Sequence, residues 1–314
     1  MVSPALAACV VPPVAGDKPA EWIDLISLDA DKSLNQNIKF VQSIASTGTG
    51  DINLDYYALT IKSDESAQSF FALWRKDLPK HLFDRSSSKY VYALKPYSDA
   101  DSQTWTSDNP KGALMSFTLA QVSGVIEFER GSVVVSCSDA TSFVFSTVNT
   151  QKDGDHPVSG NRGFGVVKNA DGTLTLFTKG ADRIKSSSYF SVLGSAQREA
   201  IFFAGTKIWE HLLDHLEEEY KNRAPSDRQE ISGRYPYPIS TLDAPPTSDS
   251  VSPIPHAILP FKTEDQDAAF RNGVRQFDLL RSLYGSVAAP LRVCLSRYTF
   301  RADGRIGHRV AAPN

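Results

Sequence analysis

The stretch from Ala113 to Thr150, "ALMSFTLAQVSGVIEFERGSVVVSCSDATSFVFSTVNT", restricts the fold more than any other part of the chain. Three runs dominated by Val, Phe and Thr are punctuated by Ser-Gly, Arg-Gly and Ser-Asp. Residues of this kind suit the pleated, half-buried surface of a strand. "FGVVKNADGTLTLFTKG" follows, with Ala170, Asp171 and Gly172 between two alternating runs. Asp and Gly tolerate the positive φ that a hairpin turn needs. Upstream, "DINLDYYALTIK" alternates Ile52, Leu54, Tyr56 and Ala58 with polar partners and reads as a further strand.

Helical spacing appears on either side of these strands. In "SDESAQSFFALWRKDLPKHLF", Ser63 or Asp64 is the expected cap, and Phe70, Phe71, Leu73, Trp74 and Leu78 form an apolar face. Pro79 is expected to end that helix. From Ser195 to Arg223, Ile201, Phe202, Ile208, Trp209, Leu212, Leu213 and Leu216 form one stripe, the mark of a helix lying on a sheet. Beyond Arg223 the composition changes, with eight of the 18 prolines between Pro225 and Pro260. The last segment, from Arg281, carries six Arg against one Asp. The fold class expected is α+β: an antiparallel β-sheet with a long helix packed on it, then a Pro-rich linker and a helical tail. The corresponding domains are a disordered or extended segment (1–20), the α+β core (21–223), the linker (224–262) and a helical, basic tail (263–314).

At 314 residues with 41% hydrophobic side chains, the chain can bury a sizeable core. A net charge of −3 excludes a dedicated nucleic-acid binder, which carries a basic field. No apolar run approaches the ~20 residues of a membrane-spanning helix. Cys9, Cys137 and Cys294 are widely spaced and odd in number, so they suggest neither a disulfide framework nor a zinc site, and Cys137 reads as a buried inert thiol. "LAAC" at Leu6 to Cys9 has the small-residue pattern before a lipidated Cys, without a basic or long apolar region ahead of it. Secretion or lipid anchoring is thus open beside a cytoplasmic location.

Chemistry concentrates in "DGDHPVSGNRGFG", Asp153 to Gly165, of which Asp153 to Gly163 reads as a loop joining two β elements. It holds Asp155, His156 and Arg162, and the far end of the next hairpin, "TKGADR", adds Asp182 and Arg183. A hairpin brings its two outer ends to one end of the sheet, so these five residues are the candidate binding site. Two Arg at one edge suit a phosphate or carboxylate, and a His beside acids suits a general base. Mutual Asp–Arg fastening of the loop explains the same residues without a ligand. "HLLDH", His211 to His215, resembles an inverted zinc-protease pattern, but Asp214 replaces Glu and the residues fall on the polar side of the helix. Neither a metal nor a cofactor is implied.

Together, "SDNPKGALMSF", "VVVSCSDATSFVFSTVNTQKDGDHPVSGNRGFGV", "TLFTKGADR" and a helix carrying Ile208 and Trp209 resemble a bacterial family of uncharacterised proteins, over roughly residues 52–223. The resemblance implies one unit containing the loop and the "GADR" turn, and no activity. The function expected is a bacterial binding or effector-type protein that engages an anionic or polar small ligand, or a protein partner, at the sheet-end loop. The alternatives are a hydrolase using His156 with Asp155 or Asp182, and a structural or protein-interaction module.

Overall fold

The computed structural model describes residues 8–14, 19–82, 90–121, 126–186, 195–239, 298–300 and 306–308. The chain divides into two units, Met1–Pro260 and Phe261–Asn314. In the first, nine strands make one antiparallel sheet: β1 (Ile38–Val41), β2 (Gly48–Lys62), β3 (Tyr90–Pro96), β4 (Leu114–Gln121), β5 (Ile126–Ser138), β6 (Ser142–Thr150), β7 (Val158–Lys168), β8 (Thr173–Lys185) and β9 (Ser226–Tyr235). Their order is β3-β4-β5-β6-β7-β8-β2-β9, with β1 on the end of β6. The helices are α1 (Ile23–Ile26), α2 (Ile44–Thr47), α3 (Ala67–His81), α4 (Asp99–Thr106) and α5 (Ser195–Glu219). Among the described residues no helix is long and apolar enough to cross a membrane.

Both faces of the sheet are covered. On the first, Tyr57, Leu59 and Ile61 of β2 join Phe143, Phe145, Phe164, Val166, Leu174 and Leu176. Phe70, Phe71, Trp74 and Leu78 of α3 and Ile208, Trp209, Leu212, Leu213 and Leu216 of α5 close over them. Each large aliphatic or aromatic side chain buried there contributes about 1.5–3 kcal/mol. Ser66 caps α3 by accepting from the Ser69 amide. The helix continues past Pro79 to His81, because a proline this near the end costs only one bond of the last turn.

The second face is covered by the start of the chain. Trp22 and Leu25 pack with Ile52, Leu54, Tyr56, Ala58, Val144 and Phe177. Val10 lies over Gly163, where a Cβ would come within 2.6 Å of its methyl group. Lys179, fully buried on β8, donates to both oxygens of Asp24 at 2.9 Å and to Val11 O at 3.0 Å.

Cys9 and Cys137 form a disulfide with Cα atoms 5.8 Å apart, a correction to the reading of Cys137 as an inert thiol. Its cause is a bulge between Val135 and Cys137. Val133 and Val135 face the helices, whereas Cys137 packs with Val144 on the second face, beside the arm that carries Cys9.

Two further boundaries differ from the sequence reading. "SGNRG" is not loop: β7 begins at Val158, and Ser159 to Gly163 are paired strand residues. Nor does the sheet end with the helix: Ser226–Tyr235, expected to begin the linker, is β9, paired with β2 from Ile52↔Tyr235 to Thr60↔Ser226. That ten-residue run contains no proline, a gap hidden by the proline density around it. In the second unit, β10 (Tyr298–Phe300) and β11 (Ile306–His308) pair antiparallel within the basic segment. Residues 240–262 of the expected linker and the tail helix lie outside the described residues, as does Cys294.

Candidate functional site

Strand register decides where the charged residues go. Arg162 on β7 faces Gly180 on β8, which faces Asp55 on β2. Gly180 has no side chain, so the Arg162 guanidinium crosses β8 and places Nη2 2.7 Å from both Asp55 oxygens. A Cβ at Gly180 would overlap that guanidinium. Nη1 donates to Thr178 Oγ1 at 3.3 Å, and the guanidinium stacks 4.0 Å from the Trp209 ring of α5. The pair is largely dry, with Arg162 13% and Asp55 4% exposed.

The next row contains Asp182. It faces Gly160 on one side and Asn53 on the other, and Asn53 faces Arg234 of β9. Asn53 Nδ2 donates to Asp55 Oδ2 at 3.0 Å and to Asp182 Oδ2 at 3.3 Å, while Arg234 donates to Asn53 Oδ1. Arg234 also stacks 4.0 Å from Phe202 of α5. Burial pushes the Asp182 carboxyl up to about 6; the Asp55 charge adds to the rise, and Arg162 and Arg234 oppose it. Four adjacent strands therefore carry one polar cluster beneath the first half of α5. Within it Asp55 and Asn53 are buried, and Arg162, Asp182 and Arg234 are half-buried.

Of the five residues expected to form the site, only Arg162 and Asp182 belong to this cluster. Arg183 is next on β8, so its side chain points to the other face. There Nε donates to Gly50 O at 2.9 Å, Nη1 donates to Ile44 O at 3.0 Å, and the guanidinium stacks 4.1 Å from Tyr237. Asp155 accepts from Asn149 Nδ2 at 2.6 Å and has Lys185 Nζ at 3.8 Å.

His156 is held at its backbone by Gln42, which accepts from its amide at 2.8 Å and donates to its carbonyl at 2.9 Å. Its ring lies 5.0 Å from Phe117, and Nδ1 lies 3.1 Å from Val158 O. Burial lowers its pKa to about 4, so the imidazole is neutral at pH 7.

Sequence reasoning missed Asn53, Asp55, Trp209 and Arg234. One signal was present: the odd positions of β2 continue as Tyr57, Leu59 and Ile61, so both faces of that strand are apolar. Two polar residues at the start of such a face need partners when buried.

No family model matches the chain, and no curated protein does. Among solved structures, the chain is similar to the Zhui aromatase/cyclase from Streptomyces sp. R1128, at 10% identity over 55% of this chain and 96% of that one, TM-score 0.36. It is also similar to the major latex-like protein 151 from Panax ginseng, at 12% identity over 55% and 99%, TM-score 0.33. A third is DR_A0006 from Deinococcus radiodurans, at 10% identity over 54% and 95%, TM-score 0.31. At these scores the likenesses leave the functional reading to the chain's own residues.

Proposed function

We propose that the chain is a binding module for a small ligand bearing a carboxylate or phosphate group, held at the polar cluster beneath α5. The observation that carries this reading is the state of Asp182. Its half-buried carboxyl accepts one long hydrogen bond, 3.3 Å from Asn53, although it lies between two guanidiniums. A clasp made only for stability would pair such a group fully. Protonated, Asp182 donates to an anionic oxygen, and Arg162 and Arg234, already stacked on Trp209 and Phe202, supply the charge. The Cys9–Cys137 disulfide supports an oxidising compartment, as in a secreted protein, and occupies the thiol that a lipid anchor would use.

A hydrolase built on His156 finds less support. Its Nδ1 is engaged by the Val158 backbone, and its ring packs on Phe117.

Tryptophan fluorescence, with Trp209 as the reporter in the site, tests the binding reading. Inorganic phosphate and short dicarboxylates titrated into the protein should give a saturable change, stronger at pH 5.5 than at pH 7.5. Asp182→Asn, which keeps the neutral form, should remove most of that pH difference. A response that is absent at both pH values, or unchanged in Arg234→Ala, sinks the proposal.

A further inference from the structure

Away from the polar cluster, three metal-ligating side chains converge between two helix ends. His81 closes the last turn of α3, and His215 and Glu219 stand four residues apart on α5, on one face of that helix. One ligand atom from each lies within 4.8 Å of the other two. His81 Nδ1 is 2.9 Å from Glu219 Oε2, and the His81 and His215 ring centroids are 5.5 Å apart. The His81 side chain is 4% exposed, and neither of its ring nitrogens makes a hydrogen bond, close as Nδ1 lies to Glu219. A buried imidazole left in this condition costs free energy and calls for a partner other than a hydrogen-bond acceptor.

We propose that His81, His215 and Glu219 bind a divalent transition-metal ion of the zinc class, clipping the end of α3 to α5. Two imidazoles with one carboxylate are a donor set for zinc, whereas calcium and magnesium take oxygen ligands. Ligand bonds of about 2.0–2.2 Å place two donor atoms on one tetrahedral ion roughly 3–3.5 Å apart. His81 and Glu219 are already near that spacing, and a small rotation of the His215 ring brings the third donor in. Three protein ligands leave the fourth tetrahedral position to water. Glu219, 40% exposed, gives the ion its route from solvent. The cluster begins six residues beyond Trp209 on α5, about 9 Å along the axis, so it is separate from the Asp182 site.

The test uses the full chain, free of any histidine tag and treated with a chelator. Zinc chloride is titrated by calorimetry with magnesium chloride as control, and thermal melts are run with each salt. One equivalent of zinc should bind and raise the Tm, while magnesium does neither. His215→Ala and Glu219→Ala remove ligands that are not fully buried, so the fold is kept where His81 variants risk losing it. Loss of an outer-sphere partner already costs ~10–100-fold in affinity, so each variant should weaken zinc at least that much. Failure to bind zinc overturns the proposal. So does unchanged zinc affinity in the double variant, which assigns the ion to other histidines. A Tm lowered by Glu219→Ala with no zinc effect in the parent chain also overturns it, and leaves a simple ion pair.

Discussion

Arg162 reaches Asp55 only because Gly180 stands between them, and three residues thus decide whether the first face tolerates a charge at all. Removing one partner of a buried pair leaves the other uncompensated. Arg162→Ala should therefore cost about 3–5 kcal/mol, read as a lower denaturant midpoint at unchanged m-value. Arg234→Ala removes a half-buried, stacked guanidinium and should weaken ligand binding more than stability. His156 and Asp182 give pH dependences of opposite sign. His156 titrates near 4 in the fold against 6.5 unfolded, so its contribution is present above pH 6.5 and is lost as pH falls towards 4. Asp182, raised to about 6 among Asn53, Asp55, Arg162 and Arg234, contributes below its unfolded value of 3.8 and loses that as pH rises through 6. Chemical denaturation across pH 4–7 should show a shallower acid loss for His156→Gln and a steeper one for Asp182→Asn; matching profiles would refute both assignments.

At the scale of elements, the parts legible in the sequence were those whose physics is local. β4, β5 and β6 announce themselves through runs of Leu, Val and Phe, the β7–β8 hairpin through Asp171 and Gly172, and α5 through its stripe. What escaped depends on partners distant in the chain. β9 is polar along "SDRQEISGRY" and is a strand because β2 supplies a backbone ladder from far upstream, as between Ile231 and Tyr56 or Glu230 and Tyr57. The bulge that turns Cys137 over has no local signature either. The site was half visible for the same reason: the hairpin brings residues 162 and 182 together, while Asp55 and Arg234 arrive from other strands. A chain ending at Arg223 should not behave as a folded core, because the long edge of β2 is then bare. Size-exclusion chromatography should show it associating, where a chain ending at Ile239 stays dispersed.

For the whole molecule, the arm from Cys9 to Leu28 is held to the sheet by the disulfide, the Lys179–Asp24 pair and the packing of Trp22. Reduction, or Cys137→Ser, opens a loop closed over 128 residues and should cost about 2–5 kcal/mol, measured by melting with and without reductant. Equal melting curves would mean that the arm stays in place by packing alone. The separation of the two cysteines also sets a timetable for biosynthesis. Cys9 is made first and its partner 128 residues later, a wait of about 6–26 s at ~5–20 residues per second. β2 likewise emerges long before β8 and β9, which flank it, so the nascent chain carries a free thiol and an unclosed apolar strand while the residues between them are made. An oxidase that met Cys9 early would have only the wrong partners to offer it.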